Sequence, residues 1–202
     1  MIKKLAVNID LHVHTSFSGD SSVTPKLLIE KLNAHPLITG IALTDHDTMR
    51  GYDVIRKLAE PYLGIVIIPG IEVTTLQGHL IILGINEKPR RPLTVWEALD
   101  YGKSIGGVVV IPHPYRASSG ICDFAKSVTA DAIEVINPNA SEHENHRALK
   151  LSKDLGLPGT AGSDCHNPNQ MWKAFTEIDA NLKIDDILKA IKDGKIRPRK
   201  LG

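Results

Sequence analysis

Seven short runs rich in β-branched residues alternate with longer amphipathic stretches: LAVNIDL (5–11), GIALTD (40–45), GIVIIPGIEVT (64–74), GVVVIPHP (107–114), AIEVIN (132–137), LPGTAGSD (157–164) and AFTEID (174–179). The stretches between them carry helix punctuation. TPKLLIEKLNAH has Thr24 placed as N-cap and Pro25 at the first helical position, and SEHENHRALKLSKDLG has a capping box, Ser141 with Glu144, and ends at Gly156. TVWEALDYGKSIGG and KIDDILKAIKDG also end at glycine, as helix C-caps often do. Strand, helix, strand repeated along one chain predicts an α/β fold: a parallel sheet with right-handed crossovers, doubly wound or closed as a barrel. The run LIILGI (80–85) follows its predecessor too closely for a crossover helix and is expected to pair with it as a hairpin. No G-x-G-x-x-G follows the first strand, which argues against dinucleotide binding.

With 202 residues, 42% of them hydrophobic, the chain suits one compact domain spanning 1–202. A formal charge of +1 with scattered Lys and Arg removes the electrostatic basis for tight, sequence-independent binding to long nucleic acid. The basic ending KIRPRK (195–200) is expected to be a solvated tail. The opening MIKKLAVNID is broken by Asn8 and Asp10, so it lacks a signal peptide's apolar core, and no later run approaches a membrane span. A cytoplasmic protein without a membrane partner is the expectation. Only Cys122 and Cys165 occur, with no paired C-x-x-C, so reduced thiols are expected and neither a disulfide framework nor a zinc ribbon is supported.

Polar residues then fall on this map in a pattern. His12 and His14 end the first run, and side chains at i and i+2 of an extended chain leave the same face. Asp45, His46 and Asp47 end the second, Glu72 the third, His79 opens the hairpin run, His113 ends GVVVIPHP, and Asp164 and His166 follow LPGTAG. They gather at the carboxyl ends of strands, the edge where α/β sheets build sites because loops from several strands converge there. Imidazole and carboxylate without thiolate suit Zn²⁺, Mn²⁺ or Fe²⁺. So many ligands exceed what one tetrahedral ion uses, and a cluster of two or three divalent transition-metal ions is the economical explanation.

The motifs DLHVHT, LTDHD, PGIEVT, IPHP and GSDCH stand in the order and spacing of the PHP (polymerase and histidinol phosphatase) family, which the chain resembles over nearly its whole length. The resemblance implies a distorted seven-stranded β/α barrel, usually with a trinuclear site, and hydrolysis of phosphate esters. By motif, it assigns His12, His14, Glu72 and Asp164 to a first ion and Glu72, His79 and His113 to a second, with Glu72 bridging. Asp20, His46 and His166 would hold the third, Asp20 standing where the family often has histidine. Hydrolysis would then proceed by a hydroxide bridging the first two ions. Arg116, three residues beyond His113, is expected to clamp a phosphate. The substrate would be a small phosphorylated molecule or a nucleotide or oligonucleotide end, with no obligate protein partner evident. Two alternatives stay open: an amidohydrolase, whose bridging lysine has no counterpart in GVVVIPHP, and a metal-stabilised binding module without turnover.

Other residues have more ordinary expectations. Asp10 divides between supporting a ligand histidine and an ordinary strand end, and Asp45 and Asp47 between the same support and loop capping. His35, His143 and His146 lie in helical patterns and read as surface; Cys165, Trp96 and Trp172 read as packing. Elemental analysis after metal-replete expression should find two to three transition-metal ions per chain, since about eight N and O ligands converge. One ion or fewer would contradict the trinuclear expectation.

Overall fold

The computed structural model describes residues 6–90 and 93–201. Strand β1 (Val7–Val13) leads to helix α1 (Pro25–Ala34), then β2 (Gly40–Leu43), α2 (Tyr52–Ala59), β3 (Val66–Thr75) and β4 (Gly78–Leu83). They are followed by α3 (Val95–Ser104), β5 (Val108–Ile111), a 3₁₀ segment (Cys122–Ser127), β6 (Ala132–Ile136), α4 (Glu142–Leu155), β7 (Gly159–Ala161), β8 (Ala174–Ile178), α5 (Ile184–Lys192) and β9 (Ile196–Lys200). The expected caps form. Thr24 accepts from the Leu27 N–H, Ser141 and Glu144 make a capping box, and Gly156 closes α4 in the left-handed region at φ 65°. A second capping box, Thr94 with Glu97, starts α3.

One sheet runs in the order β7-β6-β5-β4-β3-β2-β1-β8-β9. It curls round on itself. The Ala161 N–H of β7 donates to Thr176 Oγ1 of β8 at 2.9 Å, and just beyond β7 the Asp164 N–H donates to the His12 carbonyl of β1 at 2.7 Å. The result is an α/β fold whose sheet is a nearly closed barrel.

Three features differ from the sequence expectation. Among the described residues the strands number nine, not seven. The sheet is mixed: β1, β2 and β3 pair in parallel, as do β5, β6 and β7, while β4 forms the expected hairpin with β3 and also runs antiparallel to β5. Strands β8 and β9 are antiparallel as well. The basic ending is not a solvated tail; it forms β9, where Arg197 and Arg199 both pair with Glu177 across the strand at 2.8 and 2.9 Å. Opposite charges directly across an antiparallel pair stabilise it, and Pro198 is tolerated because β9 is an edge strand. Of the first run, Leu5 lies outside the described residues.

Strand alternation sorts the core into layers. Ile81 and Leu83 of β4, Val108 and Val110 of β5 and Ala132 of β6 join Ile187, Ala190 and Ile191 of α5 in one buried cluster. Leu80 and Ile82, Val109 and Ile111, and Ile133 and Val135 face the other way, onto α3 and α4. Helices α1 and α2 cover β1 and β2 through Leu28, Ile29, Leu32 and Ile55. The period of two then places His79 on the face of Ile81, Glu134 on the face of Ala132, and Glu72 on the face of Ile68. Polar residues thus sit one step along the strands from the apolar layer that α5 joins.

Because Ser141 accepts from the Glu144 N–H at an exposed helix start, Ser141→Ala should cost about 1 kcal/mol of stability. A urea unfolding curve checks this, and an unchanged midpoint would contradict it.

Candidate metal centre

Four side-chain atoms meet at the carboxyl edge. His12 Nε2 lies 3.0 Å from His14 Nε2, 3.2 Å from Glu72 Oε2 and 3.3 Å from Asp164 Oδ1. His14 Nε2 lies 3.0 Å from Glu72 Oε2 and 3.4 Å from Asp164 Oδ1. All four residues are buried. An ion bonded to four ligands at about 2.0–2.1 Å would hold them roughly 3.3 Å apart, so these spacings are those of a tetrahedral site. Asp164 Oδ1 and His46 Nδ1 are buried with no hydrogen-bond partner, which is costly for atoms that no cation is meant to meet. The donor set and these orphaned atoms fit a metal.

Glu72 carries the arrangement further. Its Oε1 is 2.8 Å from His79 Nδ1 and 3.1 Å from His113 Nε2, while Oε2 also lies 3.4 Å from His46 Nδ1. Asp20, more exposed, completes a further group: its Oδ2 is 3.2 Å from His166 Nε2 and 3.5 Å from His46 Nε2. Every residue of the expected ligand set is therefore within one continuous cluster. His46 stands between two groups, facing Glu72 and His79 on one side and His14, Asp20 and His166 on the other.

Arg116 lies against the cluster. Its Nη1 bonds Asp164 Oδ2 and its Nε donates to Ser119 Oγ at 2.8 Å. Asp10 accepts from the backbone N–H of His12 and Ser163 at 3.3 and 2.8 Å, so it ties β1 to the chain after β7 and touches no imidazole. Asp45 accepts from the Thr15 N–H and hydroxyl, and Asp47 from the Thr74 N–H. These aspartates hold backbone. Asp47, His113 and Asp164 take φ of 52°, 27° and 50°, a region that costs an L-residue about 1–3 kcal/mol and recurs at functional sites. Gly162 permits the close approach of this loop to β1, since a Cβ there would meet the His12 backbone nitrogen at 2.7 Å.

Of the remaining expectations, His143 and His146 are exposed, while His35 is half-buried and accepts from the Leu37 and Ile38 N–H groups. Cys165 is buried packing, with its thiol pushed up to about 12 by burial. Trp172 is buried, but Trp96 is 39% exposed on α3, edge-on to Phe124, rather than in the core.

Sequence reasoning missed Glu134, Asn137 and Ser18. Glu134 Oε1 is 3.0 Å from His12 Nδ1, Asn137 Nδ2 donates to Asp164 Oδ2 at 3.1 Å, and Ser18 Oγ is 3.2 Å from His14 Nδ1. A signal existed for Glu134: a lone acid inside the apolar run AIEVIN, on a strand covered on both faces.

Burial opposes charge here, and mutual attraction overrides it. Glu72 and Asp164 are held well below the usual carboxylate range despite desolvation, chiefly by His12, with the nearby His14 ring assisting. His12 is raised well above the ordinary imidazole value against burial by Asp164, Glu134 and Glu72. His14 is pushed up to about 9, also against burial, by the adjoining carboxylates of Asp164 and Glu72. His46 goes the other way: burial draws it down to about 4 despite Glu72, with His14 and His79 adding to the effect. In the metal-free chain, protons occupy the His12 and His14 imidazoles that a metal would need.

A family model described as PHP domain matches residues 10–103, and one described as PHP-associated matches residues 142–196. The uncharacterized protein MJ1587 of Methanocaldococcus jannaschii is 33% identical over 142 residues, covering 63% of this chain and 80% of that protein. A crystal structure of a two-domain protein from Bacteroides vulgatus, described as containing a predicted PHP-like metal-dependent phosphoesterase, superposes with a TM-score of 0.84 at 21% identity. The match covers 99% of this chain and 66% of that one, so the chain spans just under two thirds of the larger protein. An amidohydrolase from Chromobacterium violaceum, solved with bound sulfate and no metal, gives a TM-score of 0.70 at 21% identity over 95% of this chain and 98% of that one.

The raised His14 has a consequence for stability. Its folded value of about 9 exceeds its ordinary 6.5, so its contribution is full below 6.5 and lost as pH rises through 9. The Tm of chelator-treated protein should therefore fall between pH 6.5 and 9, while the Tm gain on adding Zn²⁺ should grow over the same interval. Thermal melts across that range check both; a flat metal-free profile would contradict the assignment.

Proposed function

The chain belongs to the PHP family, and from that premise we propose that it is a metal-dependent phosphoesterase, hydrolysing a phosphomonoester or phosphodiester. The observation that carries the reading is Glu72, one fully buried carboxylate whose two oxygens face imidazoles in different groups. In this reading His12, His14, Glu72 and Asp164 hold the first ion, Glu72, His79 and His113 the second, and Asp20, His46 and His166 the third. Bound divalent ions of this kind supply Lewis acidity, acidifying water and offsetting charge on phosphate oxygens.

The chain's own residues supply the rest. Glu72 sets the spacing between two ligand groups and supplies negative charge to both. Asp20, His46 and His166 line the more open side, with Asp20 51% exposed, where an incoming ester would arrive. Arg116 uses two of its five N–H donors on Asp164 and Ser119, so it has donors left for a phosphate oxygen while its bond to Asp164 keeps that carboxylate turned toward the cluster. A small phosphorylated molecule, or the end of a nucleotide or oligonucleotide, is the substrate class this supports. No side-chain nucleophile is required.

The amidohydrolase reading is the competitor, favoured by the Chromobacterium violaceum likeness. One point weighs against it. The run GVVVIPHP offers no lysine for a bridge, and the buried Glu72 carboxylate faces imidazoles of two groups instead.

The test is a metal-supplemented screen of phosphomonoesters, cyclic diesters, short oligonucleotides and N-acyl compounds, run with Glu72→Gln and Asp47→Asn alongside wild type. Turnover of a phosphate ester is expected, reduced at least about a hundredfold in Glu72→Gln, the scale of one lost electrostatic stabiliser. Asp47→Asn should do less. Turnover of N-acyl compounds alone, or a Glu72→Gln variant that keeps metal and near-normal activity, would overturn the proposal.

A further inference from the structure

Glu134 is an acid in the middle of β6, in a strand otherwise made of Ala, Ile and Val, and it is 2% exposed. One of its oxygens, Oε1, lies 3.0 Å from His12 Nδ1. The other, Oε2, accepts from the His113 backbone N–H at 3.0 Å and from Asn137 Nδ2 at 2.8 Å. Neither donor can reverse its role. A backbone N–H only donates, and the Asn137 amide is oriented by its own neighbours: Nδ2 also donates to Asp164 Oδ2, while Oδ1 accepts from the Asn139 N–H at 2.8 Å.

We propose that Glu134 is a positioning residue that fixes the His12 tautomer, holding the proton on Nδ1 so that the Nε2 lone pair faces Glu72, His14 and Asp164. The inference rests on the metal-centre reading above. An ionised carboxylate can only accept, so the ring nitrogen beside it must be the donor. In the neutral ring that would bind a metal, Nε2 is then the bare nitrogen, at the point where the four ligand atoms converge. The same carboxylate holds His113 by its backbone and, through Asn137, steadies Asp164.

The argument makes an asymmetric prediction for two substitutions. Glu134→Gln preserves shape, but its single carbonyl oxygen is claimed by the two fixed donors at the Oε2 position. Its NH₂ is therefore left facing His12 Nδ1 and donates to it, which moves the His12 proton to Nε2, the nitrogen that a metal needs bare. Glu134→Ala removes the acceptor yet imposes no tautomer. If Glu134 merely filled space, alanine would be the more harmful change; if it sets the tautomer, glutamine is at least as harmful to metal binding.

The experiment titrates Zn²⁺ against a chromophoric chelator in full-length wild type, Glu134→Gln and Glu134→Ala, with circular dichroism to confirm folding. Histidine ¹⁵N spectra of zinc-loaded wild type read the tautomer directly. Expected are a roughly 10–100-fold loss of affinity in Glu134→Gln, the scale typical when a partner of a ligand histidine is changed. The loss in Glu134→Ala should be no greater, and the His12 proton should sit on Nδ1. A Glu134→Gln variant with wild-type affinity, an alanine variant far weaker than the glutamine one, or a His12 proton on Nε2 would each overturn the inference alone. Should Glu134→Ala fail to fold, the glutamine titration and the wild-type spectra still decide. If wild type itself binds no Zn²⁺, Mn²⁺ or Fe²⁺, the metal-centre reading fails and takes this inference with it.

Discussion

A carboxylate with no solvent exposure, Glu72, stands within 3.4 Å of five imidazoles, those of His12, His14, His46, His79 and His113. Burying a carboxylate without partners is prohibitively costly, and packing imidazoles together without a counter-charge is little better. Each group is tolerable only because the others are present. The five histidines come from β1 and its end, β4 and the loops after β2 and β5, so the charge balance around Glu72 makes the register of those segments interdependent.

Beneath this polar layer the barrel is filled conventionally. Residues on the same strand faces, one or two steps nearer the opposite end, are Ile68, Ile81, Val108, Val110 and Ala132, capped by α5. The apolar layer gives stability without regard to chemistry, while the polar layer above it spends stability on charge proximity and on left-handed backbone at His113 and Asp164. Part of that cost is offset by buried hydrogen bonds in which Asp10 and Glu134 accept from backbone N–H groups and Asn137 donates to Asp164. The stretches matched by the PHP and PHP-associated models both feed this one centre, His12 to His79 from the first and Asp164 and His166 from the second.

Much of this was legible in order along the chain. The alternation of apolar runs and capped helices located eight of the nine strands and helices α1, α3, α4 and α5, because strand and helix periods are local properties. The clustered histidines and acids were legible because they sit at strand ends in recognisable motifs. The ninth strand was not. KIRPRK carries its basic residues as a tail would, and only Glu177 on the neighbouring strand turns Arg197 and Arg199 into a paired edge. Nor does any local pattern give the direction of β8, which depends on where the returning chain finds an open edge beside β1.

Glu134 marks the division most clearly. Sequence alone established which residue types were available for a metal and, through the strand period, which of them share a face, since both follow from covalent geometry within a few residues. It could not establish that an acid on β6 reaches a ring on β1, 122 positions away, or that Arg116 meets Asp164 across 48. Those contacts exist only once the sheet curls and its β7 end returns to β1 and β8. Closure is a collective outcome of twist and packing over the whole barrel, so the tertiary structure alone decided which polar groups are partners and which atoms are left facing the place where an ion would sit.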